Sequence, residues 1–274
     1  MTVVPPSFDL SGRLAVVTGA ARGLGAAFAV GLASAGADLV LVDRPGADLA
    51  PVVAAVTQHG RTCHPYEFDL ADTTAIGPWV DEVRRDRGPV HILVNNAGVA
   101  RLEHFNEITV AAWREVMRVN VDAVFFLAQR VAEHMIADGV SGRIVNISSK
   151  NGLTAEAGLA HYNASKGAVE LLTRSLAAEL GPHGITANTI APGMIATPID
   201  GEFTLDRQAF EAAWKERIPL RGGYGTPDDC VGALLLLASD AGRYINGTHL
   251  VVDGGVLADQ LPRLRFMPPY RSTL

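Results

Sequence analysis

Thr18-Gly19-Ala20-Ala21-Arg22-Gly23-Leu24-Gly25 closes the apolar run of residues 13–18 (RLAVVT) and opens a small-residue segment that reaches position 36. The run predicts a short strand and the segment after it a helix. The glycines between them let the backbone approach a phosphate with no Cβ in the way, and the helix start adds unpaired N–H groups and a positive dipole end. Strand, glycine turn and helix together make a dinucleotide cradle. The spacing of Gly19, Gly23 and Gly25 is G-x-x-x-G-x-G, not the commoner G-x-G-x-x-G. A glycine-rich turn with no ligand would have the same composition.

Working outward, residues 38–43 (DLVLVD) predict the next strand, and its last residue, Asp43, stands eighteen positions beyond Gly25. That is where a dinucleotide site places its ribose ligand: a carboxylate there accepts from both ribose hydroxyls and repels a 2'-phosphate. The expected cofactor is therefore NAD, with NADP the less favoured choice. Arg22 and Arg44 weigh the other way, because a guanidinium near that spot can hold the extra phosphate. A solvated strand-end carboxylate is the plainer reading of Asp43.

Residues 67–70 end a third predicted strand and 73–87 form a helix. Residues 91–94 make a fourth strand running into Asn95-Asn96-Ala97-Gly98, and 113–135 predict one long helix carrying Asn120 in an apolar stretch. Residues 142–149 give a fifth strand, 185–191 a sixth and 246–252 the last. This alternation predicts an α/β fold, a Rossmann-type doubly wound parallel sheet with helices on both faces. Ligands then bind at the C-terminal ends of the strands, where Asp43, Asp69 and Asn96 share one rim. One domain is expected over 1–256, with an extension at 257–274.

His161-Tyr162-Asn163-Ala164-Ser165-Lys166 follows the fifth strand, and Ser149 lies thirteen residues before Tyr162. On a helix, Tyr162 and Lys166 share one face, a turn apart. A phenol titrates near ~10, so lowering it to roughly 7 needs about 4 kcal/mol of preference for the phenolate. A cation about 4 Å away at an effective dielectric of about 20 supplies that much. The pair is thus a candidate general acid and base near neutral pH.

Composition narrows the function classes. A chain of 274 residues, 48% hydrophobic, can bury a large core. Net charge −6 argues against a nucleic-acid surface. Two cysteines, Cys63 and Cys230, form no disulfide framework, which points to a reducing, cytoplasmic setting. The start lacks a signal-peptide pattern, and the longest strongly apolar run, 231–238, is too short to cross a bilayer. Eight histidines and two cysteines show no zinc-ligand spacing, so no metal is expected.

Taken together, these motifs resemble the short-chain dehydrogenase/reductase family, the compact single-domain branch, over roughly residues 10–255. The resemblance implies that Gly19, Arg22, Gly23, Leu24 and Gly25 hold the cofactor phosphates. It implies that Asp43 selects NAD, that Asp69 and Leu70 flank the adenine, and that Asn96, Ala97 and Gly98 lie beside the adenosine ribose. Pro192, Gly193, Ile195 and Thr197 would hold the nicotinamide carboxamide. Asn120, Ser149, Tyr162 and Lys166 match the family's catalytic tetrad. In those roles Ser149 orients the carbinol or carbonyl oxygen and Tyr162 moves its proton. Lys166 lowers the phenol pKa and binds the nicotinamide ribose, and Asn120 holds a water linking Lys166 to solvent.

The implied activity is an NAD-dependent alcohol or sugar-alcohol dehydrogenase acting on a small-molecule alcohol or ketone. An NADPH-dependent 3-oxoacyl-carrier ketoreductase and a non-catalytic cofactor-binding regulator are the alternatives. Residues 199–217 (IDGEFTLDRQAFEAAWKER) fall where relatives carry a substrate lid, and Lys150, Asn151, Glu156 and Met194 are candidates to line the pocket. Those hydrogen-bonding side chains suit a polyol or sugar. They are equally compatible with solvated loops. The proline-rich tail from 257 is expected either to pack on a neighbouring subunit or to be disordered. A homodimer or homotetramer is expected, because the helices bearing Asn120 and Tyr162 carry more apolar surface than one sheet face covers.

Overall fold

The computed structural model describes residues 7–197, 207–220 and 223–259, so positions 199–206 of the lid expected over 199–217 and positions 260–274 of the tail expected from 257 lie outside the described residues. Seven parallel strands form one sheet: β1 (Leu14–Thr18), β2 (Asp38–Asp43), β3 (Cys63–Glu67), β4 (Ile92–Asn95), β5 (Arg143–Ile147), β6 (Thr186–Pro192) and β7 (His249–Val252). Their order is β3-β2-β1-β4-β5-β6-β7. The chain therefore reverses its direction of travel between β1 and β4, with Val16 in register with Val40 on one side and Leu93 on the other. Such a reversal parts the loops above the sheet and leaves a crevice there.

Burial follows the two-residue period of the strands. Ala15, Val17, Leu39 and Leu41 face a core with Phe28 and Leu32 of α1 (Gly23–Ser34) and Leu234 and Leu237 of α8 (Val231–Ala238). Val16, Val40, Leu93 and Ile144 face a second core with Val80 of α3 (Ile76–Arg87) and Leu127 and Met135 of α5 (Ala123–Ala137). A strand apolar on both faces is what a doubly covered parallel sheet needs. The remaining helices are α2 (Ala50–Gln58), α4 (Val110–Met117), α6 (Ala160–Leu180) and α7 (Arg207–Arg217).

Several boundaries differ from the sequence reading. The third strand ends at Glu67, before Phe68, Asp69 and Leu70; it is a half-exposed edge strand containing Pro65, so its apolar signal is weak. The single helix expected over 113–135 starts at Val110, where the Thr109 side chain accepts from Ala112 N. It is then interrupted by a π turn at Arg118–Asp122. The helix expected from 73 starts at Ile76, and the last strand starts at His249. No described helix is long and apolar enough to cross a membrane.

Candidate active site

The glycine turn and the loop after β4 are laced together. Thr18 Oγ accepts from both Asn96 N and Ala97 N at 2.9 Å, and Asn96 Nδ2 donates to the Thr18 and Gly19 carbonyls at 2.9 and 3.0 Å. A Cβ on Gly25 would stand 2.0 Å from the Gly19 carbonyl oxygen, so only glycine fits there. The Asn96 amide thus holds the turn in shape. Helix α1 begins with no acidic residue in its first turn and no side-chain cap, which leaves its N–H groups for a phosphate. Across the turn, Asp43 Oδ2 accepts from Ala21 N at 2.9 Å and Oδ1 from Arg44 N at 2.8 Å, which fixes the carboxylate at the end of β2.

These groups line one cleft of about 1310 Å³ with Arg22, Leu24, Asp69 and Leu70. Ala97, Gly98, Pro192, Gly193, Ile195 and Thr197 line it too, as do Ser149, Tyr162 and Lys166. All the expected cofactor residues except Gly23 and Gly25 reach its wall, and those two shape the turn beneath it. An open N-terminus, a carboxylate at the end of the second strand and a cleft of this size fit a nicotinamide dinucleotide.

Three members of the expected tetrad, Ser149, Tyr162 and Lys166, line the cleft together, and Asn120 lies behind Gly98 of its wall. Lys166, 4% exposed, donates from Nζ to the Ile147 carbonyl at 2.8 Å and lies 5.6 Å from the centroid of the Tyr162 ring. Gly98 packs against it, since a Cβ there would touch the ammonium at 3.5 Å and lie 3.3 Å from Asn120 Oδ1. Ser149 Oγ accepts from Asn151 N at 3.1 Å and caps a short turn at Lys150–Gly152. The neighbouring Ser148 is buried, and its hydroxyl donates to the Lys166 carbonyl. Both serines reach the cleft wall, and it is the Ser149 hydroxyl that bonds the Tyr162 phenol.

Asn120 sits in the π turn and does not bond Lys166. Its Oδ1 accepts from Val99 N at 2.8 Å, and its Nδ2 donates to the Val99 carbonyl at 2.9 Å and to Ser165 Oγ at 3.0 Å. The π turn moves this amide out of helical register and uses it to pin the loop after β4 against α6. Such turns gather at functional sites.

The electrostatics correct one expectation. Burial raises the Tyr162 phenol above its ordinary value, the Ser149 hydroxyl draws it down, and the Glu156 carboxylate pushes it up again. Burial also pushes Lys166 down to about 8, against the Glu170 carboxylate, which raises it. The simple pair calculation left out desolvation, which disfavours both charged forms.

Some contributors were not singled out from the sequence. Glu170 follows Lys166 by one turn of α6 and accepts from the Thr189 hydroxyl at 2.8 Å; the four-residue spacing was the available signal. Trp214 of α7 lies under the Lys150 ammonium, 4.4 Å from it, and nothing local announces that contact. Among the described residues no three His, Cys, Asp or Glu side chains gather where they could hold a metal.

Comparison with known proteins agrees with this geometry. A family model described as Enoyl-(Acyl carrier protein) reductase matches residues 19–257. The chain is 40% identical over 252 residues to gluconate 5-dehydrogenase of Gluconobacter oxydans, covering 92% of this chain and 97% of that one. It is 39% identical over 252 residues to 2-dehydro-3-deoxy-D-gluconate 5-dehydrogenase of Escherichia coli, covering 92% and 98%. The crystal structure of a gluconate 5-dehydrogenase from Burkholderia cenocepacia in complex with NADP and tartrate superposes with a TM-score of 0.86 at 39% identity, covering 92% and 97%. The chain belongs to the short-chain dehydrogenase/reductase family. It is an NAD(P)-dependent oxidoreductase that interconverts a secondary alcohol and its ketone.

Because Lys166 titrates lower in the folded than in the unfolded chain, its ammonium opposes folding at neutral pH, and that penalty lifts as pH rises through about 8. The unfolding free energy of the parent should therefore gain on that of Lys166→Met above that pH in denaturant titrations. A difference that stays constant with pH would contradict the buried ammonium.

Proposed function

We propose that this enzyme oxidises a sugar acid or a related polyhydroxylated secondary alcohol and reduces the matching ketone, with NAD preferred. The reading rests on Ser149, Tyr162 and Lys166 lining the same cleft as the glycine turn and Asp43. The two most similar relatives named above act on gluconate and a deoxygluconate keto acid by name, which makes this substrate class the first to test. The Asp43 carboxylate supports NAD, since a 2'-phosphate beside it meets like charge. Exposed Arg22 and Arg44 are the counterweight, and a complex with NADP is known for the Burkholderia relative.

In the proposed mechanism, Ser149 donates a hydrogen bond to the substrate oxygen while Tyr162 takes its proton in oxidation and returns it in reduction. Lys166 holds positive charge beside the phenol and favours its ionised form. Asn120 acts by bracing the wall that Gly98 and Val99 form over Lys166. The nicotinamide, when bound, supplies or accepts the hydride.

Gluconate and its keto acids should give turnover at the nicotinamide absorbance band, faster with NAD(H) than with NADP(H). Tyr162→Phe should lower kcat by about 10²–10⁴-fold while leaving dinucleotide binding in place. Equal rates with both dinucleotides would remove the cofactor preference, and an active Tyr162→Phe enzyme would remove the mechanism.

We also propose a homo-oligomer paired through α5 and α6. Phe125 and Phe126 on α5 remain 38% and 40% exposed and Leu171 on α6 65% exposed. Such apolar faces are costly to leave in water. Light scattering should report a dimer or tetramer that Leu171→Glu weakens; a monomeric parent would refute the pairing.

A further inference from the structure

Near the phenol, in the wall of the same cleft, stands a carboxylate whose role the mechanism does not require. Glu156 belongs to the loop between β5 and α6, and its carbonyl accepts from Asn163 Nδ2 at 2.9 Å. Asn163 in turn accepts from Asn151 Nδ2 at 2.9 Å, so two amides lock this loop to the first turn of α6. Glu156 Oε2 accepts from Lys150 Nζ at 2.8 Å and lies 3.4 Å from Asn151 Nδ2. Lys150 is itself 4% exposed, donates also to Asn151 Oδ1 at 2.7 Å, and rests against Trp214. One carboxylate oxygen is thus fixed by a buried cation and an amide. The other, Oε1, takes no hydrogen bond among the described residues, and the residue lines the cleft with Ser149 and Tyr162.

Such an arrangement works against the chemistry if the acid does nothing else. A negative charge beside Tyr162 disfavours the phenolate that oxidation needs, and the Glu156 carboxylate does push the phenol upward. A carboxylate held by a buried cation and an amide, with one oxygen open to the cleft, is what reading a hydroxyl demands. We infer that Glu156 is a specificity-determining residue: its Oε1 accepts from a hydroxyl on the substrate next to the reacting carbinol, and Lys150 and Asn151 hold it in place for that bond. The substrate class that follows is a chain with neighbouring hydroxyls, its own acidic group, if it has one, turned away from Glu156. This deepens the proposed function and rests on it. The charged groups around the phenol are Lys166 on α6 and Glu156 on the loop, with Lys150 behind Glu156.

The test compares gluconate with cyclohexanol, which has no second hydroxyl, in the parent, in Glu156→Gln and in the double variant Lys150→Met/Glu156→Leu. The double variant removes both members of the pair, so neither leaves a buried charge alone. In both variants KM for gluconate should rise at least about tenfold while kcat/KM for cyclohexanol holds or rises. The rising limb of the pH profile for cyclohexanol oxidation should shift to lower pH, because the charge opposing the phenolate is gone. Equal losses on both substrates, or an unchanged KM for gluconate, would overturn the role of Glu156. A parent enzyme that oxidises cyclohexanol but not gluconate would overturn the underlying substrate reading and this inference with it.

Discussion

One buried ammonium constrains the architecture of the site. Lys166 is held by the Ile147 carbonyl at the end of β5 and lies beside the Tyr162 ring on its own helix. Burial alone would drive it toward the neutral amine, and the pull to about 8 reflects that. The surroundings accommodate it in specific ways. Gly98 brings the loop after β4 up against it, and Glu170 offers a counter-charge one turn along α6. The π turn places Asn120 where its amide ties the Val99 backbone to Ser165, whose hydroxyl donates back to the Tyr162 carbonyl at 2.8 Å. Loop, turn and helix are therefore fixed around one charge.

The sheet makes this convergence possible. Reversal between β1 and β4 opens the crevice, and the parallel strands deliver every loop to one rim. Thr18, the last residue of β1, uses a single hydroxyl to join the glycine turn to the loop after β4. The glycine turn and the Tyr162–Lys166 pair consequently belong to one frame around a single cleft. Precise placement of reacting groups contributes to rate only when the frame does not yield.

Much of this was legible in the chain, for identifiable reasons. The glycine turn, Asp43 and the Tyr162–Lys166 spacing are local patterns, and each landed where its pattern put it. The β1 and β2 runs are apolar over residues 14–17 and 39–42 because both faces are covered there, and that too is local. What stayed hidden depends on distant partners. The edge strand β3 reads poorly because half of it meets solvent. The interruption at Asn120 is invisible in a run whose apolar residues continue through it. The use of the Asn96 amide on the Thr18 and Gly19 carbonyls is hidden because it crosses more than seventy positions. The phenol was expected to be acidic because a pairwise charge calculation contains no burial, and burial reverses the sign.

The most direct measurement is the titration of Tyr162 followed by carbon-13 NMR of ring-labelled tyrosine, assigned with Tyr162→Phe, in the parent and in Lys166→Met. If the ammonium favours the phenolate, the Tyr162 pKa rises when Lys166 is replaced. An unchanged or lowered value would contradict the electrostatic partnership on which the site is built.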